Sequence, residues 1–263
     1  MLIDTHAHPE QVEFDNDRNK VISDSFHSGI EAIIAVGTSI ENTKKVIELS
    51  EKYANIYPTA GIHPTDGGDE TKNKYKEEFE KIVDTYKKKI VAVGECGLDI
   101  YIEGERPTSN KDVLKQIELF VFQLQIAKKY NLPVIIHCRN GWDRVFEVLD
   151  KNNINNGVFH CWTGNLDQLK QAEIRGFYVA FGGILTFKNA GEIVNSAKKI
   201  DINKLVLETD SPFLAPEGLR GKRNEPKNVR IVAEFIARLR GVELSYIEEV
   251  TTTNAKRLFN LKI

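Results

Sequence analysis

Short runs of β-branched and aliphatic residues alternate along the chain with longer charged stretches in which apolar positions recur at helical spacing. The short runs read as strands and the amphipathic stretches as helices, which predicts a series of βα units. Strands are expected over residues 2–6, 32–37, 56–61, 90–95, 134–137, 158–160, 177–181 and 205–209. Residues 114–130 form the clearest helix, with Leu114, Ile117, Val121, Leu124 and Ala127 on one face. Two more helices are expected near the end, one opened by Pro226 and one by a capping box of Ser245 and Glu248. Eight strands with helical crossovers predict an α/β protein, a closed (β/α)8 TIM barrel, with a doubly wound open sheet as the alternative. No repeat, low-complexity tract or Pro/Gly/Ser-rich linker interrupts the pattern, and 263 residues is close to the roughly 250 of one such barrel. Residues 1–263 are therefore expected to form a single domain.

Composition narrows the picture further. At 41% hydrophobic and 28% charged residues, the chain can bury a substantial core and keep an ordinary polar surface, so disorder is not expected. A net charge of -2 excludes a global positive field, and any basic patch must be local. The N-terminal residues lack a basic flank and a long apolar run, and no later run approaches the roughly 20 residues of a membrane span, so a cytoplasmic protein with no membrane partner is expected. Cys96, Cys138 and Cys161 are odd in number and far apart, which fits reduced thiols. A monomer is the expected state.

The residues that bind metals best fall at the C-terminal ends of the expected strands, the face where barrel active sites are built. Strand one ends in His6-Ala7-His8, strand four in Gly94-Glu95-Cys96, strand five in His137-Cys138-Arg139, strand six in His160-Cys161-Trp162 and strand eight in Glu208-Thr209-Asp210. Residues two apart share one side of a strand, so His6 and His8 can converge on one ion. Alternation sends Glu95, His137 and His160 inward if Cys96, Cys138 and Cys161 face the helices. A thiolate metal site is the rival, but it lacks close Cys-x-x-Cys spacing. The two oxygens of Glu95 can bridge two cations. His6, His8 and Asp210 then complete one ion, and His137 and His160 the other. Asp210 is the natural general base, and Glu208, of the same parity, can orient a ligand histidine from behind or form a buried ion pair. Mixed imidazole and carboxylate donors suit Zn, Mn, Fe or Co, whereas Mg prefers oxygen and water.

These segments resemble a known family. Asp4-Thr5-His6-Ala7-His8, Gly61-Ile62-His63-Pro64, Gly94-Glu95-Cys96-Gly97-Leu98-Asp99, His137-Cys138-Arg139, Thr209-Asp210-Ser211-Pro212 and Arg220-Gly221-Lys222-Arg223-Asn224-Glu225-Pro226 are similar, in order and along almost the whole chain, to the signature segments of TatD-related deoxyribonucleases. The resemblance implies a (β/α)8 barrel, metal-dependent hydrolysis of DNA phosphodiesters and the metal roles given above. It also implies use of Mg, so the expected cofactors are two divalent ions, Mg, Mn or Zn. Ala7 stands where the family often has Cys, and an Asp66-Gly67-Gly68-Asp69 loop follows His63; neither removes a ligand.

Substrate contacts are expected from a second group of residues. His63 can donate to a phosphate oxygen and act as a general acid. Arg139, Arg220 and Arg223 offer forked cationic donors to phosphate, with Asn224 beside them. Trp162 and Tyr101 can stack on bases at the mouth, whereas His27 reads as structural. A site recessed between barrel loops, with no basic track, predicts an exonuclease acting on single-stranded DNA ends. The alternatives are an amide, lactone or phosphotriester hydrolase, which the arginines disfavour, and a non-catalytic metal or nucleic-acid binding protein.

Overall fold

The computed structural model describes residues 1–66, 73–100 and 108–263. Among these residues eight parallel strands alternate with helices: β1 (Leu2–Ala7), α1 (Arg18–His27), β2 (Ile30–Ala35), α2 (Ile40–Lys52), β3 (Ile56–Pro58), α3 (Asn73–Tyr86), β4 (Val93–Asp99), α4 (Asn110–Tyr130), β5 (Val134–Arg139), α5 (Trp142–Asn152), β6 (Gly157–Phe159), α6 (Leu166–Ile174), β7 (Tyr178–Phe181), α7 (Gly191–Lys199), β8 (Leu205–Leu207), α8 (Val229–Arg240) and α9 (Leu244–Phe259).

Two ladders, β1-β2-β3 and β4 through β8, close into one ring at two seams. At the first, Ala60 bridges Val93, and the Gly94 N–H donates to the Ala60 carbonyl at 2.7 Å. At the second, Ala7 bridges Ser211, the Asp210 N–H donates to the His6 carbonyl at 2.9 Å, and the Thr209 hydroxyl donates to Asp4 Oδ2 at 2.6 Å. The fold is a (β/α)8 TIM barrel.

Hydrophobic residues sort into two layers. Ile3, Ala32, Ile34, Ala92, Ile135, Val158, Ala180 and Val206 fill the barrel interior, while a larger cluster lies between strands and helices. α9 covers the N-terminal end: Ala255, Leu258 and Phe259 join the interior cluster, and Asn254 Nδ2 donates to the Leu205 carbonyl at 2.8 Å. The polar end is therefore the opposite one, where the strands finish.

Simple alternation fails in two strands, and both failures place site residues. In β1, Leu2 belongs to the outer layer and Ile3 to the interior, so strict period two would turn His6 and His8 outward. Between Asp4 and Ala7, however, β1 gains a residue relative to Ile33–Ala35 of β2, and this bulge reverses the parity. Ala7 then joins the outer layer, and both histidines turn in. β4 does the same: Ala92 is interior, an extra residue falls between Val93 and Cys96, and Cys96 and Leu98 end up outside. Glu95, Gly97 and Asp99 thereby share the inward side. β4 also runs to Asp99, beyond the expected end at residue 95.

Two helix expectations are corrected. In α4 Leu124 and Ala127 are buried and Ile117 and Val121 pack on the core as expected, but Leu114 is 64% exposed, while Val113, Gln116, Phe120 and Gln123 are buried. α9 begins at Leu244 with no side-chain cap, so Ser245 is not its N-cap, and Glu248 instead meets the terminal amine and Arg230. Pro226 does open a first turn, a 3-10 turn leading into α8.

Candidate metal centre and active site

Glu95 is the hub of the polar end. Its backbone reaches this point because Gly61 has no side chain: a Cβ there would come within 2.2 Å of the Gly94 carbonyl carbon and 2.3 Å of the Glu95 nitrogen. The Glu95 N–H is also held by the Gly37 carbonyl at 2.9 Å. From this fixed position Oε1 lies 2.7 Å from His137 Nδ1 and 2.8 Å from His160 Nε2, while Oε2 lies 3.4 Å from His6 Nε2. On the Oε2 side, His6 Nε2 and His8 Nε2 are 3.2 Å apart, and Asp210 Oδ1 is 3.3 Å from His8 Nε2 and 3.6 Å from His6 Nε2. His137 Nδ1 and His160 Nε2 are likewise 3.2 Å apart. The six residues form two donor sets that share one carboxylate.

Among the described residues, three overlapping groups of side chains here could hold a divalent cation, one of them His6, His160 and Glu208. His6, His8 and Glu95 bring ligand atoms within 4.8 Å of one another, and so do His63, Glu95 and His137. The electrostatics point the same way. Burial opposes a proton on His8, yet Asp210, Glu10 and Glu95 lift its imidazole to about 9. Burial likewise opposes charge on His160 and His137, and the carboxylates of Glu95, Glu208 and Asp99 override it and raise both. Burial penalises the Glu95 carboxylate, but His160, His63 and His137 hold it well below its usual range. A field that draws protons onto imidazoles also attracts metal ions, which bind once those protons leave. His6, desolvated and facing His160, is lowered.

Outer groups orient these donors. Asp99, which lay past the expected end of strand four, is a site residue that alternation from Glu95 along a longer strand would have found. Its Oδ2 is 3.0 Å from His137 Nε2, leaving Nδ1 directed at Glu95 and His160. Two glutamines on the buried face of α4 clamp the neighbouring backbone. Gln116 accepts from the Asp99 N–H at 2.9 Å and donates to the Asp99 carbonyl at 3.0 Å, and Gln123 does the same to Ile62, at 2.8 and 2.9 Å, beside His63. His8 Nδ1 faces the Val36 carbonyl at 3.2 Å. Glu208 is fully buried beneath His160, with Oε1 accepting the Cys161 N–H at 2.6 Å and lying 3.7 Å from His160 Nδ1. Its Oε2, His6 Nδ1 and His160 Nδ1 have no hydrogen-bond partner among the described residues, so the Glu208 carboxylate faces the back of one histidine from each set.

The family model described as TatD related DNase matches residues 3–260. The chain belongs to the TatD-related DNase family. It is 39% identical, over 99% of this chain and 100% of the relative, to the Bacillus subtilis protein named uncharacterized metal-dependent hydrolase YabD. It is 30% identical, over 95% of both chains, to a Shigella flexneri protein named 3'-5' ssDNA/RNA exonuclease TatD. Among solved structures, YJJV, a TatD homolog from Escherichia coli K12, superposes with a TM-score of 0.91 at 30% identity, covering 99% of this chain and 98% of that one. The protein is accordingly a metal-dependent hydrolase of the TatD family.

Around this TatD site the remaining expected residues separate. A cavity of about 320 Å³ opens over the donors and is lined by His8, His63, Glu95, His137, Arg139, His160 and Asp210, among others. Arg139 reaches it with its side chain 48% exposed and Nη1 3.7 Å from Asp99. His63 accepts the Thr65 N–H on Nδ1 at 3.2 Å, so its proton sits on Nε2, 3.5 Å from Glu95. Burial pulls its imidazole down to about 4 and keeps it neutral.

Arg223 and Asn224 do not line the cavity. Arg223 forms a two-point pair with Asp17 at 2.7 and 2.8 Å, donates to the Glu13 carbonyl and lies over Phe14. Asn224 is fully buried; its amide donates to the Thr209 and Phe213 carbonyls at 2.9 Å and its oxygen accepts from Glu225 and Asn228. Both brace the segment after Asp210 rather than offer donors to phosphate. Arg220 is exposed and stacked on Phe187, 4.2 Å from its centroid, and is not a lining residue. Trp162 is fully buried against Trp142 and Phe159, so it cannot stack on a base. Cys161 turns the chain with φ 45 and lines the cavity instead of facing the helices. No cysteine enters a metal-type cluster among the described residues. Tyr101 and most of the 66–69 loop lie outside the described residues. His27 is exposed on α1, bonded to the Ser23 carbonyl. No helix among the described residues is long and apolar enough to cross a membrane.

Proposed function

We propose that residues 1–263 act as one catalytic domain that hydrolyses phosphodiester bonds at free ends of single-stranded DNA. Two divalent cations would be held by His6, His8, Glu95 and Asp210 and by Glu95, His137 and His160. The observation that carries this reading is the division of Glu95, with one oxygen toward each histidine pair. Mg, Mn or Zn bound there would supply Lewis-acid stabilisation of phosphate oxygens and ease the deprotonation of water.

The chain's own groups complete the chemistry. The Asp210 carboxylate, held below its usual range by His8 and the other imidazoles despite burial, is ionised and can take the proton of the attacking water. His63 presents a neutral Nε2–H to a phosphate oxygen. Arg139 supplies a permanent positive charge at the mouth, which favours an anionic substrate over a neutral amide, lactone or triester. A site recessed at the barrel mouth favours a frayed single-stranded end over an intact duplex, whose phosphate would have to descend between the loops. The Shigella relative named as a 3'-5' ssDNA/RNA exonuclease supports the reading and points to the 3' end and to RNA as a second substrate. All six proposed donors come from one chain, which is consistent with a monomer.

The test compares linear with covalently circular single-stranded DNA of matched sequence in Mg or Mn. Linear DNA is expected to shorten progressively while the circle persists. Equal cutting of both would identify an endonuclease, and cutting of neither would refute the phosphodiester assignment.

A further inference from the structure

Most of the residues that line the cavity are polar or charged, but Phe213 and Leu214 are not. Phe213 and Leu214, which follow Asp210-Ser211-Pro212, line the cavity with 46% and 37% of their surface exposed. Among the described residues they are the exposed large hydrophobic side chains that do so. An apolar ring left in water adds little to folding, and apolar surface beside a binding pocket marks a contact.

The backbone that carries this ring is fixed. The Phe213 N–H donates to the Asp210 carbonyl at 2.9 Å, and the Phe213 carbonyl accepts from buried Asn224 at 2.9 Å. Leu214 has φ 51, and its carbonyl lies where a Cβ on Gly183 would be, 2.0 Å away. The segment is held from both sides while the side chains stay outside the core. The Phe213 ring centroid is 6.0 Å from that of His8, so the apolar wall begins directly beside the metal donors.

We infer that Phe213, flanked by Leu214, is a nucleobase subsite: its ring stacks on the base of the terminal nucleotide while the scissile phosphate lies between Glu95, Asp210 and Arg139. This rests on the phosphodiesterase reading above and adds the part of the substrate that the polar donors leave unbound. A phosphate at the donors has its base one sugar away, and Phe213 and Leu214 offer it an apolar surface at that range. Every base has a π face, so such a subsite gains affinity without reading sequence, which suits an enzyme that removes successive nucleotides. The stacking role expected of Trp162, which follows β6, thus falls to an aromatic ring that follows β8.

Single-stranded oligonucleotides with normal ends and with abasic ends, cleaved by metal-loaded wild type, Phe213→Ala and Phe213→Trp, test this. Stacking on one ring predicts that wild type prefers the base-bearing end by about 10- to 100-fold in kcat/KM. That preference should collapse in Phe213→Ala and return in Phe213→Trp, with metal content and melting temperature of both variants at the wild-type level. A Phe213→Ala enzyme that keeps the preference, or that slows on both substrates alike, overturns the subsite. Wild type that cleaves neither substrate instead overturns the phosphodiesterase reading, and the subsite with it.

Discussion

Glu95 and Asp210 line the same pocket, the mechanism proposed above gives them different work, and substitution separates the two roles. Replacing Asp210 by Asn keeps the shape and one ligand oxygen but removes the base, so turnover should fall by orders of magnitude in protein that melts normally and retains most of its metal. Near-normal hydrolysis by the metal-loaded variant would contradict the role of base. Glu95→Ala removes the shared carboxylate and should lower metal content more than His63→Ala, whose imidazole stands at 3.5 Å from Glu95 rather than between the pairs. Equal metal in the two variants by elemental analysis would refute that ranking. At this scale the proposed ligands could be picked out because their chemistry is rare and their positions at strand ends are regular, and the structure brings them together. Arg223 and Asn224 could not be placed, because a polar side chain does not announce its partner: Asp17 pairs with Arg223 from the other end of the chain. Trp162 was singled out as an aromatic residue near the mouth, but after the left-handed residue Cys161 its ring is fully buried.

Strands and helices were readable as kinds, since period two and period 3.6 survive in sequence, but their phase was not. The β1 bulge leaves no Gly or Pro signature, whereas the β4 bulge carries Gly94 at φ 138, a signal that simple alternation passes over; without the two bulges His6, His8 and Glu95 would face the helices. The same limit misplaced the start of the buried face of α4. An apolar stripe suggested Leu114 inward, whereas two glutamines turn in to satisfy the backbone of the segments carrying His63 and Asp99. Gln123→Ala leaves the buried Ile62 N–H and carbonyl without their partners, and a stability loss of about 1–3 kcal/mol is expected. Thermal melting measures it; the substitution should also reduce turnover through His63 while metal content stays unchanged. A variant as stable and active as wild type would show that the clamp is idle.

Across the whole molecule, protons and cations compete for one field. In metal-free protein the His8 imidazole sits at about 9 against an ordinary 6.5, raised by Asp210 and Glu10 over the opposing burial. A raised folded value means that this stabilising term is present below pH 6.5 and is lost as pH climbs to about 9. Metal-free protein should therefore lose stability over that interval, while cation affinity rises as the proton is displaced. Melting with and without chelator across the range checks both directions; a metal-free stability that climbs with pH would contradict the sign. The net charge of -2 adds that substrate binding should weaken only shallowly with salt, with a slope of about -0.7 per phosphate neutralised.

The most direct measurement of the shared-carboxylate site is a count of bound cations against cleavage. Metal-stripped protein is dialysed to equilibrium with Mn at rising concentration, its metal is determined by elemental analysis, and each sample is assayed on linear single-stranded DNA. The expected result is two ions per chain, with cleavage appearing as the second is filled and both lost together in Glu95→Ala. Full cleavage with one ion bound, or unchanged metal in Glu95→Ala, would contradict it.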